Sequence, residues 1–324
     1  MTSKLILIFI FLLIIISIIK FKKNNFEAFK QQTNVDLSNL REFYGLEYLK
    51  KLTESGYKVY NAKDYINKDV DYDEQKYKTI IIGTGSIDSN DMIDVYKHCY
   101  LGLRLTPHDG VGYQVIESGL MGVMTVHNGG APSSISYSNV EDIKKIIESE
   151  KNKIGKIDTD LSNKTYDFCK FNKKTFRLKT YFPKVKPNIF FRQIHVSKSI
   201  IFFRDKFLKH NKNFKLYNDP HKPAVFFGVY SRNDLKLILN HKAHALIVFG
   251  GSDTYLKRRH VKYFLKKLSK LDKERYTFIA QSKYIEDDLN RYNIKYHKNP
   301  FYFGFTNKIP IAKGNCIYMY IREK

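Results

Sequence analysis

Residues 101–130, LGLRLTPHDGVGYQVIESGLMGVMTVHNGG, constrain the fold more than any other stretch. An apolar run ends at Arg104 and Leu105. A glycine turn follows, His108-Asp109-Gly110-Val111-Gly112. Next comes a short helix-periodic segment with one acid, Glu117, and then a second apolar run, Val123–Val126. Strand, glycine turn, helix and strand in this order build anion and nucleotide sites. A helix N-terminus offers unpaired N–H groups and a partial positive charge, and glycines let a ligand approach the backbone. On spacing alone, the alternative is an ordinary strand–helix–strand unit with a surface acid.

Composition narrows the class. The chain has 324 residues, enough for two modest domains or one large one. Its formal charge is +24, which admits nucleic acid, anionic lipid or an acidic substrate as partner. The lysines are scattered without a long basic block. The aromatics fall mostly in apolar segments and are not interleaved with Arg as base-stacking platforms would be. A solvated basic surface is the expectation, and no nucleic-acid partner is expected. The cysteines, Cys99, Cys169 and Cys316, lie far apart and show neither a disulfide framework nor zinc spacing. That leans toward a reducing compartment.

The N-terminus reads differently. Leu5 to Ile19 is apolar apart from Ser17 and lies between Lys4 and Lys20. At about 1.5 Å per residue it is short for a spanning helix, but Lys4 and Lys20 can snorkel and extend it. No small-residue cleavage site follows. Residues 1–23 are therefore expected to form a retained transmembrane signal anchor, and 24–36 a polar linker. Lys20, Lys22 and Lys23 outnumber Lys4 plus the terminal amine, which places the globular part on the cytoplasmic side of a single-pass membrane protein.

Beyond the linker, helical and strand patterns alternate, which implies α/β architecture with parallel sheets. Helices are expected at Leu37–Leu52, Asp91–Lys97, Tyr113–Met121, Val140–Glu150 and Leu161–Phe176. Strands are expected at Tyr57–Tyr60, Thr79–Ile82, Tyr100–Leu105 and Val123–Val126. After a basic, irregular stretch with breaks at Pro183 and Pro187, a second series begins. It has a possible strand at Asn188–Phe191, a helix at Ile194–Leu208, and strands at Ala224–Tyr230, Ala245–Phe249 and Thr277–Ala280, each followed by a helix. A last apolar strand is expected at Cys316–Ile321. The reading is two Rossmann-like domains after a transmembrane helix. The first domain spans 37–172, a linker 173–187, the second domain 188–312, and a final strand in 313–324 returns to the first.

Asp109 and Glu117 are two acids separated by seven residues across a glycine turn. In this the chain resembles the donor-sugar site of retaining glycosyltransferases with the GT-B fold, the glycosyl group 1 family. The family usually has Glu where this chain has Asp109. The resemblance implies a GT-B-like fold that takes a nucleotide sugar as donor, mainly on residues 35–170. A hydroxyl acceptor (glycan, lipid or protein) would bind mainly on residues 187–310. It implies that Glu117 holds the ribose and that Asp109 touches the sugar. Gly110 and Gly112 would admit the backbone to the diphosphate, Arg104 would neutralise charge there, and Gly83 and Gly85 would support the nucleotide. Catalysis would come from positioning and charge stabilisation, with no cofactor or metal called for. Gly250-Gly251-Ser252-Asp253 and Ala280-Gln281-Ser282-Lys283 resemble strand ends of the acceptor-side domain. Family members place that domain first, whereas here the nucleotide-type unit leads. A circular permutation follows, in which Ile317–Ile321 returns to the first domain's sheet beside the strand near Thr79–Ile82 or its neighbour. The alternative is a fragment of two neighbouring enzymes. The other function class is a non-catalytic, membrane-anchored nucleotide-sugar-binding protein.

Three features carry less. Gly83-Thr84-Gly85-Ser86 follows a strand but lacks the third glycine of a dinucleotide fingerprint and the Lys of a P-loop. Asp69, Asp71 and Asp73 share the Asp-x-Asp pattern of a metal–diphosphate site, yet their flanks are polar and a solvated loop is expected. His241 and His244 are expected at the surface. The anchor is directly testable: the full chain should stay in the membrane fraction after alkaline carbonate extraction, and a variant lacking residues 4–22 should not. A mature chain starting near residue 25 would instead mark a cleaved signal.

Overall fold

The computed structural model describes residues 43–83, 89–170, 173–304 and 307–323. Strands and helices alternate, and the fold is mixed α/β with two parallel sheets of six strands each, compatible with two Rossmann-like domains. Contacts group the chain into two compact units. One holds the described residues up to Leu103, with Asn139–Gly155 and those from Lys313 onward. The other holds Arg104–Ser138 and Lys156–Ala312. Among the described residues no helix is long and apolar enough to cross a membrane. The expected anchor, residues 1–23, and the linker 24–36 lie outside the described residues.

The first unit begins with β1 (Phe43–Tyr44), α1 (Leu46–Glu54), β2 (Lys58–Asn61), β3 (Thr79–Ile82), α2 (Ser89–Lys97) and β4 (Cys99–Leu103). Of the helix expected over Leu37–Leu52, residues 37–42 lie outside the described residues, Phe43–Tyr44 is extended, and the helix runs Leu46–Glu54 after Gly45, which takes a left-handed φ of 93°. The second unit then opens with α3 (Tyr113–Leu120), β5 (Met124–Val126) and β6 (Ser134–Ile135). The chain returns to the first unit for α4 (Val140–Glu150), where the Asn139 side chain caps the Asp142 N–H at 3.0 Å. Helix α1 packs on α4, and α4 on β4. In the second unit again, α5 (Thr159–Cys169) ends earlier than the expected Phe176; Lys173–Phe176 forms a separate 3-10 turn.

The second sheet contains β7 (Gln193–Val196), β8 (Lys215–Leu216), β9 (Ala224–Phe227), β10 (Ala245–Val248), β11 (Tyr276–Ala280) and β12 (His297–Lys298). Their helices are α6 (Phe202–His210), α7 (Arg232–Asn240), α8 (Arg259–Leu268) and α9 (Lys283–Asn290). The order is β12-β11-β10-β9-β7-β8. Strands β9, β10 and β11 are buried along their whole length, because helices and loops cover both faces of the parallel sheet. One face packs Leu235, Val261, Phe264 and Ile285; the other packs Phe176, Phe207, Phe214 and Phe301. Two expectations are corrected here. Asn188–Phe191 is not a strand, and the strand is Gln193–Val196, which overlaps the start of the expected helix Ile194–Leu208. There Ile194 and Val196 face the second of these cores while Gln193 and His195 face away, the period of two of a strand.

The chain closes with β13 (Cys316–Met319) and β14 (Arg322–Glu323), the latter antiparallel to β1. Strand β13 lies between β3 and β4, with Cys316 beside Thr79 and Met319 beside both Ile82 and Leu103. This is the position expected of the last apolar run. The first sheet reads β2-β3-β13-β4-β5-β6. Its centre therefore depends on a segment remote in sequence. Truncation after Pro310 is expected to strip β3 and β4 of their shared partner. Hydrogen exchange should show protection lost at Thr79–Ile82 and Cys99–Leu103, with the β9–β11 amides less affected.

Candidate functional site

The glycine turn and its helix belong to the second unit, together with the whole second sheet. Arg104 and Asp109 are both buried and form an ion pair through Arg104 Nε and Asp109 Oδ2. The other oxygen of Asp109 accepts the Gly110 N–H at 2.9 Å, and Thr106 Oγ1 lies 3.5 Å from Oδ2. Gly112 is the N-cap of α3, with φ 67° and no side-chain capping bond; no acid stands in the first turn. A Cβ on Gly112 would lie 3.3 Å from Arg104 Nε, so the helix start and the ion pair are packed together. The second helical residue, Gln114, is buried, and neither of its amide atoms has a hydrogen-bond partner among the described residues.

The turn rests against the loop after β10. A Cβ on Gly110 would meet the Gly250 carbonyl oxygen at 2.6 Å, and one on Gly251 would meet Gly110 N at 2.8 Å. Two backbones touch where side chains would have separated them. Asp253 holds the facing loop by accepting N–H groups from Val229, Gly250 and Gly251 at 2.8–3.0 Å. Burial pushes its carboxyl up to about 6, against the pull of those three donors. Ser282, just before α9, donates to the Asp109 carbonyl at 2.7 Å. Gln281 joins the Phe249 carbonyl to the Phe301 N–H.

His108 extends from the turn into a buried polar cluster. Its Nε2 lies 2.8 Å from Asp288 Oδ2 and 3.2 Å from Thr254 Oγ1, and its ring packs between Tyr255 and Tyr284. Tyr284 donates to the Thr106 carbonyl at 3.1 Å. His127 follows β5 and is wholly buried, with Nδ1 3.2 Å from the Arg104 carbonyl. A carbonyl only accepts, so Nδ1 carries the proton and Nε2 presents a lone pair. Burial pushes His127 down to about 4, and the Arg104 charge acts the same way.

Glu117 sits half-buried one turn along α3 from Tyr113. Burial, and then its charge among other causes, raise the Tyr113 and Tyr302 phenols. Arg104, Asp109, Gly110 and Gly112 thus come together, with Glu117 further along the same helix. Gly83 lies in the first unit, against the Tyr318 hydroxyl, and Gly85 lies outside the described residues. Of the weaker features, Asp71 and Asp73 pair with Lys76 in an exposed loop. His241 is corrected: it is fully buried, its ring against Phe226 and its Nδ1 3.3 Å from the Tyr217 hydroxyl, and burial pushes it down to about 4. An aromatic-lined interior accommodates a neutral imidazole, which sequence polarity does not reveal. A groove of about 490 Å³ opens between Arg232, Leu235, Lys236, Leu239, Asn240 and Tyr263, and none of the expected site residues lines it.

Sequence reasoning does not single out His108, Thr254, Asp288, His127 or Tyr284. His108 and Asp288 are 180 residues apart, and no local pattern joins them. His127 does carry a signal: it is the first polar residue at the carboxyl end of a strand, where open α/β sheets bind ligands. Comparison with models of known protein families, with curated proteins and with solved structures finds no match to this chain.

Both the glycine contact and the buried imidazole have measurable effects on stability. Gly110→Ala drives a Cβ into a backbone carbonyl and should destabilise the fold by about 1–3 kcal/mol in urea titration. His127 ordinarily titrates near 6.5 but is held neutral in the fold to about 4. Between these values the unfolded chain binds a proton that the fold refuses, so stability is complete above about pH 6.5 and falls as pH drops toward 4. The full effect is on the order of 3 kcal/mol, and His127→Gln should flatten that part of the pH–stability curve.

Proposed function

We propose that the chain is a glycosyltransferase that moves a sugar from a nucleoside diphosphate sugar to a hydroxyl acceptor at a membrane. The observation that carries this reading is the start of α3. Its N-terminus follows a left-handed glycine, has no side-chain cap and no acid in its first turn, and is adjoined by the buried amide of Gln114. Such a helix end favours an anion, and a diphosphate fits it. On this reading Glu117 accepts the ribose hydroxyls from the next turn of the same helix. Gly110 and Gly112 keep side chains out of the diphosphate's way, and Asp109, oriented by Arg104, addresses the transferred sugar. In the reaction the bond from the sugar's anomeric carbon to the diphosphate breaks and a bond to the acceptor oxygen forms. The electron pair of the broken bond leaves with the nucleoside diphosphate, which takes up the acceptor proton as it departs. Attachment through residues 1–23, with the globular part cytoplasmic, belongs to the same proposal, as does a permuted GT-B order.

A second reading is a nucleotide-sugar-binding module without turnover. It is favoured by the engagement of Asp109 with Arg104 and with the Gly110 N–H. Hydrolysis of the donor separates the two, since the module binds without it. A thermal-shift screen against nucleoside diphosphate sugars tests the shared part. One of them should raise the melting temperature, and Glu117→Ala should weaken its binding by roughly tenfold or more, the loss of about 1.5–3 kcal/mol per charge-assisted bond. Unchanged affinity in a folded Glu117→Ala variant would overturn the site.

A further inference from the structure

We propose that the start of α6 is a membrane-docking element that seats the second unit on an anionic lipid surface. Ile200 and Phe207 of this segment are buried in the core beneath the second sheet. Ile201 and Phe202, between them, point outward, 39% and 60% exposed. Phe202 packs on Phe203, with ring centroids 4.2 Å apart, so the two rings and Ile201 form one apolar tip. Lys198, Lys206 and Lys209 of the same segment are exposed, with Lys206 and Lys209 four and seven residues on from Phe202 along the helix and so on its face. The single acid, Asp205, is paired with Arg204. An apolar tip with lysines along its helix has the composition of an interfacial anchor: the rings enter the headgroup boundary and the ammonium groups meet lipid phosphates. Charge complementarity therefore selects an anionic bilayer as the occupant, over a neutral or basic protein face.

The patch also adjoins the candidate site. Phe203 packs on Tyr113, the first residue of α3, with ring centroids 5.2 Å apart, and Lys206 Nζ lies 5.7 Å over the same ring. Docking here would bring the α3 N-terminus to the lipid surface. This face would lie against lipid whether or not the chain transfers sugar, and whether or not the apolar run at residues 5–19 tethers it.

The chain has no tryptophan, so Phe202→Trp introduces a unique fluorophore. The control is Tyr263→Trp: Tyr263 is 53% exposed on α8, whose Val261, Phe264 and Leu265 pack on the other face of the same sheet. Each full-length variant is reconstituted with vesicles of phosphatidylglycerol and phosphatidylcholine carrying brominated acyl chains. The expected result is quenching of the Phe202→Trp indole at least about twofold beyond that of the control, reversed by raising the salt concentration. An unquenched indole in Phe202→Trp while the protein co-pellets with the vesicles would overturn the proposal, as would equal quenching of the two variants. Blue-shifted emission from Phe202→Trp without vesicles would also overturn it. If that shift grows with protein concentration the cover is a second copy; if not, it is a segment of this chain.

Discussion

The second unit is organised around one backbone-to-backbone contact, between the turn at Gly110 and the turn at Gly250–Gly251. No L-residue with a side chain fits there, so the chain must place glycine on both sides. Each turn is held by its own aspartate, Asp109 through the Gly110 N–H and Asp253 through the Gly250 and Gly251 N–H groups. The contact then fixes its neighbours. Ser282 reaches the Asp109 carbonyl, His108 reaches Asp288 and Thr254, and Tyr284 reaches Thr106. Loops distant in sequence become one rigid frame because the approach of their main chains leaves little room to slide.

Within that frame the Arg104–Asp109 pair sets the electrostatics. A buried pair contributes little net stability, since desolvation offsets attraction, but removing one partner strands a charge and costs roughly 3–5 kcal/mol. Its effect is specificity of shape. Arg104 lies against Gly112, so the orientation of the pair also orients the start of α3. His127 completes the arrangement from the carbonyl side of Arg104 and remains uncharged, adding no competing cation.

Long apolar strands are legible in sequence because burial on both faces leaves continuous runs: Thr79–Ile82, Ala245–Val248 and Cys316–Met319 match closely. Val140–Glu150 is legible from its period and from the two capping residues before it, Ser138 and Asn139, of which the structure uses Asn139. The two-residue edge strands β6, β8 and β12 are not, since they are too short to show a period. Strand β7 is hidden because it is only four residues long and is followed at once by Ile200, Phe203 and Phe207, whose spacing of three and four is helical. Of the candidate site, the glycine turn and its acids stand out through local spacing. The Gly250–Asp253 and Gln281–Ser282 turns also stand out, at the carboxyl ends of strands, but their contact with the Gly110 turn and the pairing of His108 with Asp288 do not, because backbone contact and histidine–carboxylate pairing over such separations leave no local trace.

The place of β13 has a consequence for how the chain comes to be folded. The strand at the middle of the first sheet is synthesised only after all of residues 104–312. While the chain grows, Thr79–Ile82 and Cys99–Leu103 have no central partner and expose apolar edges to whatever else is near. The second unit, by contrast, has its entire sheet available by Lys298. Assembly is thus ordered by synthesis: the second sheet can settle first, and Thr79–Ile82 and Cys99–Leu103 must wait for Cys316–Met319, a long-range closure of the kind that slows folding and invites chaperone attention.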